Sequence, residues 1–195
     1  MVTAIVLAAG SSKRMGKDNK LLLPFNNTTI IKQVVDQINN SNVQQTIIVT
    51  GHEAKKIEDA LENEEVIFYN NENYHCGLTA SIQTGVAKCE TNGIMICLSD
   101  MVKLTSFDYN LLVEQFEISY TYETPCIIVP HYNDKKGNPV IFSNHFKEMI
   151  LQNDNPEGCK NIIIENNQYV YTVEMPNDHV LIDIDFPNDY AELTK

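Results

Sequence analysis

The chain has 195 residues, of which 43% are hydrophobic and 21% are charged, and its formal net charge is −12. This length suits one domain with a sizeable core, and no apolar run approaches the roughly 20 residues that a membrane span needs, so we expect no membrane association. The negative charge disfavours nucleic acid as a partner, so a polyanionic ligand would need local cations, backbone N–H groups or a metal ion.

Short β-type runs alternate with amphipathic segments along the chain. The predicted strands are residues 3–8, 46–50, 66–69, 94–98, 126–130, 139–142, 169–173 and 180–184. The predicted helices are residues 29–40, 53–61, 79–89, 107–120, 144–152, 158–166 and 188–193. Continuous Val/Ile runs are typical of strands covered on both faces. The pattern therefore predicts an α/β fold with a mostly parallel, doubly wound sheet and an antiparallel edge or flap after Cys126.

A small-residue loop with basic side chains follows the first predicted strand. It reads Ala-Gly-Ser-Ser-Lys-Arg-Met-Gly over residues 9–16. Ligands bind at the carboxyl ends of parallel strands, where the N–H groups of such a loop can bind phosphate oxygens. Cationic side chains occupy four of eight consecutive positions, which favours phosphate binding: Lys13, Arg14, Lys17 and Lys20. A plain strand-to-helix turn with incidental basic residues is the alternative.

The same loop excludes two common nucleotide motifs. Five residues separate Gly10 from Gly16, and Asp18 follows Lys17 where a Walker A loop needs Ser or Thr. The Gly-x-Gly-x-x-Gly pattern of dinucleotide-binding oxidoreductases is missing as well.

Carboxylates follow two other β-type runs. Asp100 ends the apolar run 94–98, and Asp183 and Asp185 end the run that begins at residue 180. Mg²⁺ prefers one or two carboxylates together with phosphate oxygens and water, so Asp100 with Asp183 or Asp185 would suit a metal-bound triphosphate. Helix N-caps or turns are the alternative for each of these residues.

Cysteine and histidine patterns give no metal or disulfide signal. The five cysteines are scattered and form no Cys-x-x-Cys pair, and the five histidines form no His-Glu-x-x-His pair. We therefore expect reduced thiols and a cytoplasmic location, and we assign no role to any histidine.

Six motifs in chain order resemble the nucleotidyltransferase superfamily and, within it, the molybdenum cofactor cytidylyltransferases and their MobA-like relatives. They are the Leu-Ala-Ala-Gly loop with Lys-Leu-Leu-Leu-Pro (7–24), Val-Thr-Gly-His-Glu-Ala (49–54), Gly-Leu-Thr-Ala-Ser-Ile (77–82), Leu-Ser-Asp-Met (98–101), Gly-Asn-Pro-Val-Ile-Phe (137–142) and Asp-Ile-Asp-Phe-Pro-Asn-Asp-Tyr (183–190). No single motif is decisive, but together they span nearly the whole chain.

The resemblance implies a Rossmann-like nucleotidyltransferase fold in a single domain over 1–195. Its nucleotide-binding half would span about 1–100 and its acceptor-side half about 101–195. It implies Mg²⁺-dependent transfer of CMP from CTP to a small phosphorylated acceptor with release of pyrophosphate. The expected acceptor is the molybdopterin cofactor, with a molybdoenzyme as a possible client. Ala9 favours CTP, because guanylyl-transferring relatives carry Gly there.

The resemblance also implies roles for individual residues. Arg14, Lys20 and Asp100 are expected to be catalytic, and Asp100 and Asp185 are the expected metal ligands, with Asp183 as the alternative to Asp185. Gly137, Asn138 and Pro139 are expected to contact the acceptor. The expected nucleotide contacts are Leu7, Ala8, Ala9, Gly10, Ser11, Ser12, Lys13, Arg14, Lys20, Gly51, Gly77, Ser81 and Asp100.

Two other functions stay open. One is the same chemistry on a sugar or polyol phosphate, although methylerythritol cytidylyltransferases carry a His-Asp-Ala-Ala-Arg-Pro segment that Leu98-Ser99-Asp100-Met101 does not match. The other is a non-catalytic nucleotide sensor or cofactor chaperone. Glu-Gly-Cys-Lys at 157–160 replaces the usual Gly-Ala-Arg of the family, which leaves the identity of the acceptor open.

Overall fold

The computed structural model describes residues 1–16 and 18–194, so Lys17, one of the predicted loop cations, lies outside the described residues. The strands are β1 Val2–Ala8, β2 Pro24–Phe25, β3 Thr28–Thr29, β4 Gln45–Thr50, β5 Ile67–Asn70, β6 Gly93–Leu98, β7 Ile127–Tyr132, β8 Lys135–Lys136, β9 Val140–Ser143 and β10 Val170–Glu174. The helices are α1 Ile30–Asn39, α2 Ala54–Ala60, α3 Leu78–Val86, α4 Ser106–Ser119, α5 Lys147–Leu151, α6 Lys160–Glu165 and α7 Pro187–Leu193. Within these residues, no helix is long and apolar enough to cross a membrane.

The main sheet has the strand order β10-β7-β9-β6-β1-β4-β5, and β8 pairs with β7. Strands β6, β1, β4 and β5 are mutually parallel, and β10 is parallel to β7. Strand β9 runs antiparallel between β6 and β7. This arrangement confirms the predicted α/β fold, with its mostly parallel sheet and antiparallel strands in the second half.

Helices cover both faces of the sheet and bury two apolar cores. On one face, α1, α2 and α4 pack against side chains such as Ala4, Val6 and Ile48. On the other, α3, α5 and α6 pack against Ile5 and Val49. Adjacent β1 residues therefore belong to opposite cores, which is why the strand is apolar at every position except Thr3.

Helix α1 illustrates how the pattern specifies the packing. Its buried residues are Ile30, Ile31, Val34, Val35 and Ile38. Their i, i+3, i+4 spacing forms one apolar stripe, and burying each such side chain contributes about 1.5–3 kcal/mol. The Thr29 side chain accepts a hydrogen bond from the Lys32 N–H and caps the helix start.

The predicted strand at 180–184 is wrong. His179–Leu181 forms a single 3-10 turn, and the chain to Asp185 follows without regular structure. Val180 and Ile184 are buried, so their apolar character comes from packing and not from strand pairing. The Val180 carbonyl accepts a hydrogen bond from the Asn138 N–H, which fixes the segment against the loop before β9.

Candidate active site

The carboxyl ends of the central parallel strands meet at one edge of the sheet. Ala8 lies opposite Thr50, and Leu7 lies opposite Leu98, so the loops after β1, β4 and β6 begin side by side. A cavity of about 770 Å³ lies above them. The predicted site residues that line it are Leu7, Ala9, Gly10, Ser11, Ser12, Lys13, Arg14, Lys20, Gly77, Ser81, Asp100 and Asp185.

Hydrogen bonds hold the first loop in a defined shape. Ser12 has a left-handed backbone (φ 47°), and its Oγ accepts a hydrogen bond of 3.2 Å from the Lys20 N–H. The Ala9 carbonyl accepts one of 3.1 Å from the His52 N–H, which connects this loop to the loop after β4. The loop therefore closes back on the start of the Lys20 segment and keeps basic side chains beside the cavity.

Cations and carboxylates pair at one end of the cavity. The Lys20 ammonium donates to Asp100 Oδ2 and, at 2.6 Å, to the Ile184 carbonyl. Arg14 Nη1 donates to Asp185 Oδ2 at 2.6 Å, although the two residues are 171 positions apart. Lys20 and Asp100 are mostly buried, whereas Arg14 is exposed. Two separate segments, one that ends at Asp100 and one at residues 184–185, thus meet the first loop.

Three carboxylates at this end suit a divalent cation. Asp100, Asp183 and Asp185 each offer an oxygen atom, and these atoms lie within 4.8 Å of one another. Asp100 Oδ1 is buried and has no hydrogen-bond partner among the described residues. Partial desolvation, followed by the charges of Asp100 and Asp185, raises the pKa of Asp183 above its ordinary value. A hard cation would supply the missing partner and relieve this repulsion, so the residues present fit a Mg²⁺-type ion.

Five predicted binding residues lie outside the cavity wall. Ala8 is buried in β1. Gly51 packs where a Cβ atom would come within 2.8 Å of the Cβ atoms of Ala9 and Tyr74. Gly137 and Asn138 lie against Val180 and are half-buried, and the next residue, Pro139, is buried. Their predicted roles in nucleotide or acceptor binding stay predictions.

We expect Gly137→Ala to destabilise the protein. A Cβ atom at this position would lie 2.3 Å from the Val180 carbonyl oxygen, and a backbone atom cannot rotate away. The segment that leads to Asp183 and Asp185 would have to move, at a cost of about 1–3 kcal/mol. Thermal unfolding measures this loss. Gly10→Ala is the matched control, because nothing lies within 4 Å of its Cβ position. Equal melting temperatures for the two variants would contradict the close approach.

The sequence interpretation missed one wall of the cavity. His52, Tyr74, His75 and Leu78 line it, and the rings of His52 and Tyr74 are 6.1 Å apart. Tyr74 and His75 lie between β5 and α3, at the carboxyl end of a parallel strand. That position is the available signal, because loops at this edge face the ligand. Two other histidines pair with carboxylates instead, His131 with Glu174 and His179 with Asp108.

Comparisons with known proteins show which family the chain resembles. The family model for the MobA-like NTP transferase domain matches residues 4–169. The molybdenum cofactor cytidylyltransferase of Escherichia coli (strain K12) is 25% identical over 190 residues, covering 97% of this chain and 93% of that protein.

Two solved structures share the fold. A nucleotidyl transferase from Methanothermobacter thermautotroptrophicus superposes with a TM-score of 0.86 at 22% identity, covering 100% of this chain and 96% of the other. A manganese complex of Rv0371C from Mycobacterium tuberculosis H37Rv gives a TM-score of 0.77 at 22% identity, covering 99% and 97% of the two chains.

Proposed function

Because the chain belongs to the MobA-like NTP transferase family and is a nucleotidyltransferase, we propose that it transfers CMP from CTP to the molybdopterin cofactor. The observation that carries the proposal is the meeting of Arg14, Lys20, Asp100 and Asp185 at one end of a cavity large enough for a nucleotide. A phosphate oxygen of the acceptor attacks the α-phosphorus, the bond to the β-phosphate oxygen breaks, and pyrophosphate leaves. A phosphomonoester is a competent nucleophile near neutral pH, so the reaction needs no general base.

The loop and its two cations would position the triphosphate. The planar donor fork of Arg14 suits two phosphate oxygens, and the Lys20 ammonium acts as a point charge. Both side chains now bind carboxylates, so phosphate oxygens would replace these partners when the nucleotide enters. In that position they stabilise the charge that grows on the leaving pyrophosphate.

Mg²⁺ is the cofactor of this proposal, held by Asp100, Asp183 and Asp185. A bound Mg²⁺ would neutralise phosphate charge and so favour displacement at phosphorus. The manganese in a related structure supports a divalent ion in this fold. Asp100 is buried, Asp183 is exposed and Asp185 is partly exposed, and an oxygen atom of each lies within 4.8 Å of the others, so the three residues would hold the ion at the cavity end.

The choice of CTP rests on Ala9 and on the named activity of the E. coli relative. A cytoplasmic location is part of the same proposal, and the five cysteines support it, because none forms a disulfide and four are buried. Burial raises the pKa of the Cys159 thiol to about 12, which keeps that thiol protonated and unreactive.

We expect pyrophosphate release to be fastest with CTP and molybdopterin. The test is a panel of the four ribonucleoside triphosphates, each with molybdopterin, methylerythritol phosphate or a sugar phosphate, in a buffer that contains Mg²⁺. CTP should exceed GTP by about tenfold or more in kcat/KM. Faster turnover with GTP would contradict the Ala9 argument.

Two results of the same panel would support the other candidates. If pyrophosphate is released with a sugar or polyol phosphate as acceptor but not with molybdopterin, the same chemistry acts on a different acceptor. CTP binding without turnover on any acceptor would favour a nucleotide sensor or cofactor chaperone.

A further inference from the structure

A buried asparagine that does not line the cavity is hydrogen-bonded to a serine that does. Asn71 follows β5 and is 4% exposed, and Ser81 on α3 is 5% exposed. The Asn71 Nδ2 group donates a hydrogen bond of 3.0 Å to Ser81 Oγ. Ser81 lines the cavity, whereas Asn71 does not. Asn71 therefore reaches the ligand site only through the serine hydroxyl.

The orientation of the Asn71 amide is fixed by backbone groups. The side-chain Oδ1 of Asn71 accepts a hydrogen bond of 2.9 Å from the Asn73 N–H. The backbone N–H of Asn71 donates a hydrogen bond of 2.8 Å to the Thr50 carbonyl. A backbone N–H can only donate, so the oxygen end of the amide must face Asn73. The NH₂ group must then face Ser81, which makes Ser81 Oγ the acceptor of this hydrogen bond.

The hydroxyl hydrogen of Ser81 is consequently left for a ligand. Thr84, one turn further along α3, donates its hydroxyl hydrogen to the Ala80 carbonyl at 2.8 Å. Ser81 donates no hydrogen bond to any residue in the described part of the chain. A buried hydroxyl without an acceptor is costly, and the cavity is where an acceptor can be supplied.

The acceptor is expected on the nucleoside part of the ligand. The chain segment that carries Ser81 contributes Tyr74, His75, Gly77 and Leu78 to the cavity lining, and none of the Lys, Arg and Asp residues of the lining comes from this segment. The charged end suits the phosphates, so the uncharged wall is left for the base and sugar. Cytosine presents a carbonyl oxygen and an unprotonated ring nitrogen, and both accept hydrogen bonds.

We propose that Asn71 is a positioning residue that holds the Ser81 hydroxyl as a hydrogen-bond donor to the nucleoside part of the bound nucleotide. This inference rests on the proposed function, because it takes a nucleoside triphosphate as the ligand. It adds a specificity-determining pair to the site, since the donor at Ser81 selects for an acceptor atom on the ligand.

Asn71→Asp tests the direction of the hydrogen bond without changing the size of the side chain. Its carboxylate still accepts from the Asn73 N–H, but it now also accepts from Ser81, so the hydroxyl turns away from the cavity. We expect the Kd for CTP, measured by calorimetry, to rise about tenfold. Ser81→Ala should give a similar loss, and the double variant should lose no more than Ser81→Ala alone.

Pyrophosphate binding is the matched control, because pyrophosphate occupies only the charged end. Its affinity should be unchanged in Asn71→Asp. Equal weakening of pyrophosphate and CTP would mean that the added charge acts at a distance, and the proposal would be wrong. An unchanged Kd for CTP, or the same loss in the Ser81→Ala background, would also overturn it. If Asn71→Asp does not fold, Asn71→Ala replaces it, with an expected loss of about threefold, because the hydroxyl can then rotate.

The same measurements separate this proposal from the proposed function. A wild-type protein that binds no nucleoside triphosphate would overturn both. Wild-type binding of CTP with no effect of Asn71→Asp would overturn the inference alone. Wild-type binding of CTP with the expected loss, but without turnover on any acceptor, would support the inference and contradict the transferase proposal.

Discussion

We expect Asp100→Asn to lower the rate of pyrophosphate release from CTP by about 10³-fold, a loss of the size seen when one preorganised charge-stabilising group is removed. The substitution keeps the shape of the side chain and removes its charge. Asp100 is the most buried of the three clustered carboxylates, and its Oδ1 has no protein partner within the described residues. Steady-state assays at saturating Mg²⁺ and CTP measure the effect on kcat.

The matched control is Asp154→Asn, which alters an exposed aspartate outside the cavity. Its kcat should equal that of the parent protein. Calorimetry with Mn²⁺ gives a second readout, because loss of one carboxylate should weaken metal binding in Asp100→Asn even without nucleotide. A variant that retains near-normal turnover would contradict the proposed mechanism.

Local patterns predicted most of the fold because they reflect burial directly. The run before the first loop is apolar from Ala4 to Ala8, and β1, including Thr3, is buried on both faces. The segment 180–184 is also apolar apart from Asp183, yet it forms no strand. The Val180 carbonyl accepts a hydrogen bond from the Asn138 N–H, and Val180 and Ile184 both pack into the same apolar core. The apolar residues of both segments correctly predict that the segments are buried. They do not reveal whether another strand lies beside the segment to pair with it.

The short hairpin of β2 and β3 shows a different limit. Its turn is Asn26-Asn27, and both residues have positive φ angles of 45° and 65°. Asparagine tolerates this conformation, which a two-residue hairpin turn requires. The flanking strands are only two residues long, so no alternating pattern exists to predict them.

The charged end of the site followed from topology. Parallel strands place their carboxyl ends at one edge, so a loop after β1 and an aspartate after β6 had to be neighbours. Asp185 was placed at this edge as the end of a predicted strand over 180–184 and by the family resemblance. That strand does not form, yet the irregular segment still brings Asp185 to Arg14. Asn71 escaped prediction because its role depends on a hydrogen-bond direction, which only the neighbouring Asn73 N–H and Ser81 reveal.

Lys20→Met should unfold at a lower temperature in a metal-free buffer and recover when a divalent ion is added. Lys20 and Asp100 form a pair whose side chains are only 16% and 12% exposed. Removing the ammonium leaves the Asp100 charge without its partner, which costs on the order of 3 kcal/mol. For a chain of this size we expect a fall of about 6–12 °C in Tm. A divalent ion bound by Asp100, Asp183 and Asp185 would replace the lost charge, so Mg²⁺ or Mn²⁺ should restore most of the Tm.

Two variants make this test specific. Lys13→Met removes an exposed ammonium from the same loop and should leave the Tm unchanged with or without metal. Lys20→Met combined with Asp100→Asn removes both charges, so it should be more stable than Lys20→Met in EDTA and should gain less from metal. If metal raised the Tm of Lys20→Met no more than that of the parent protein, the three carboxylates would not form a cation site. If metal restores the Tm of Lys20→Met but the variant releases no pyrophosphate, the Lys20 ammonium takes the place of the metal ion in the free protein. The same ammonium then acts on phosphate once the nucleotide is bound.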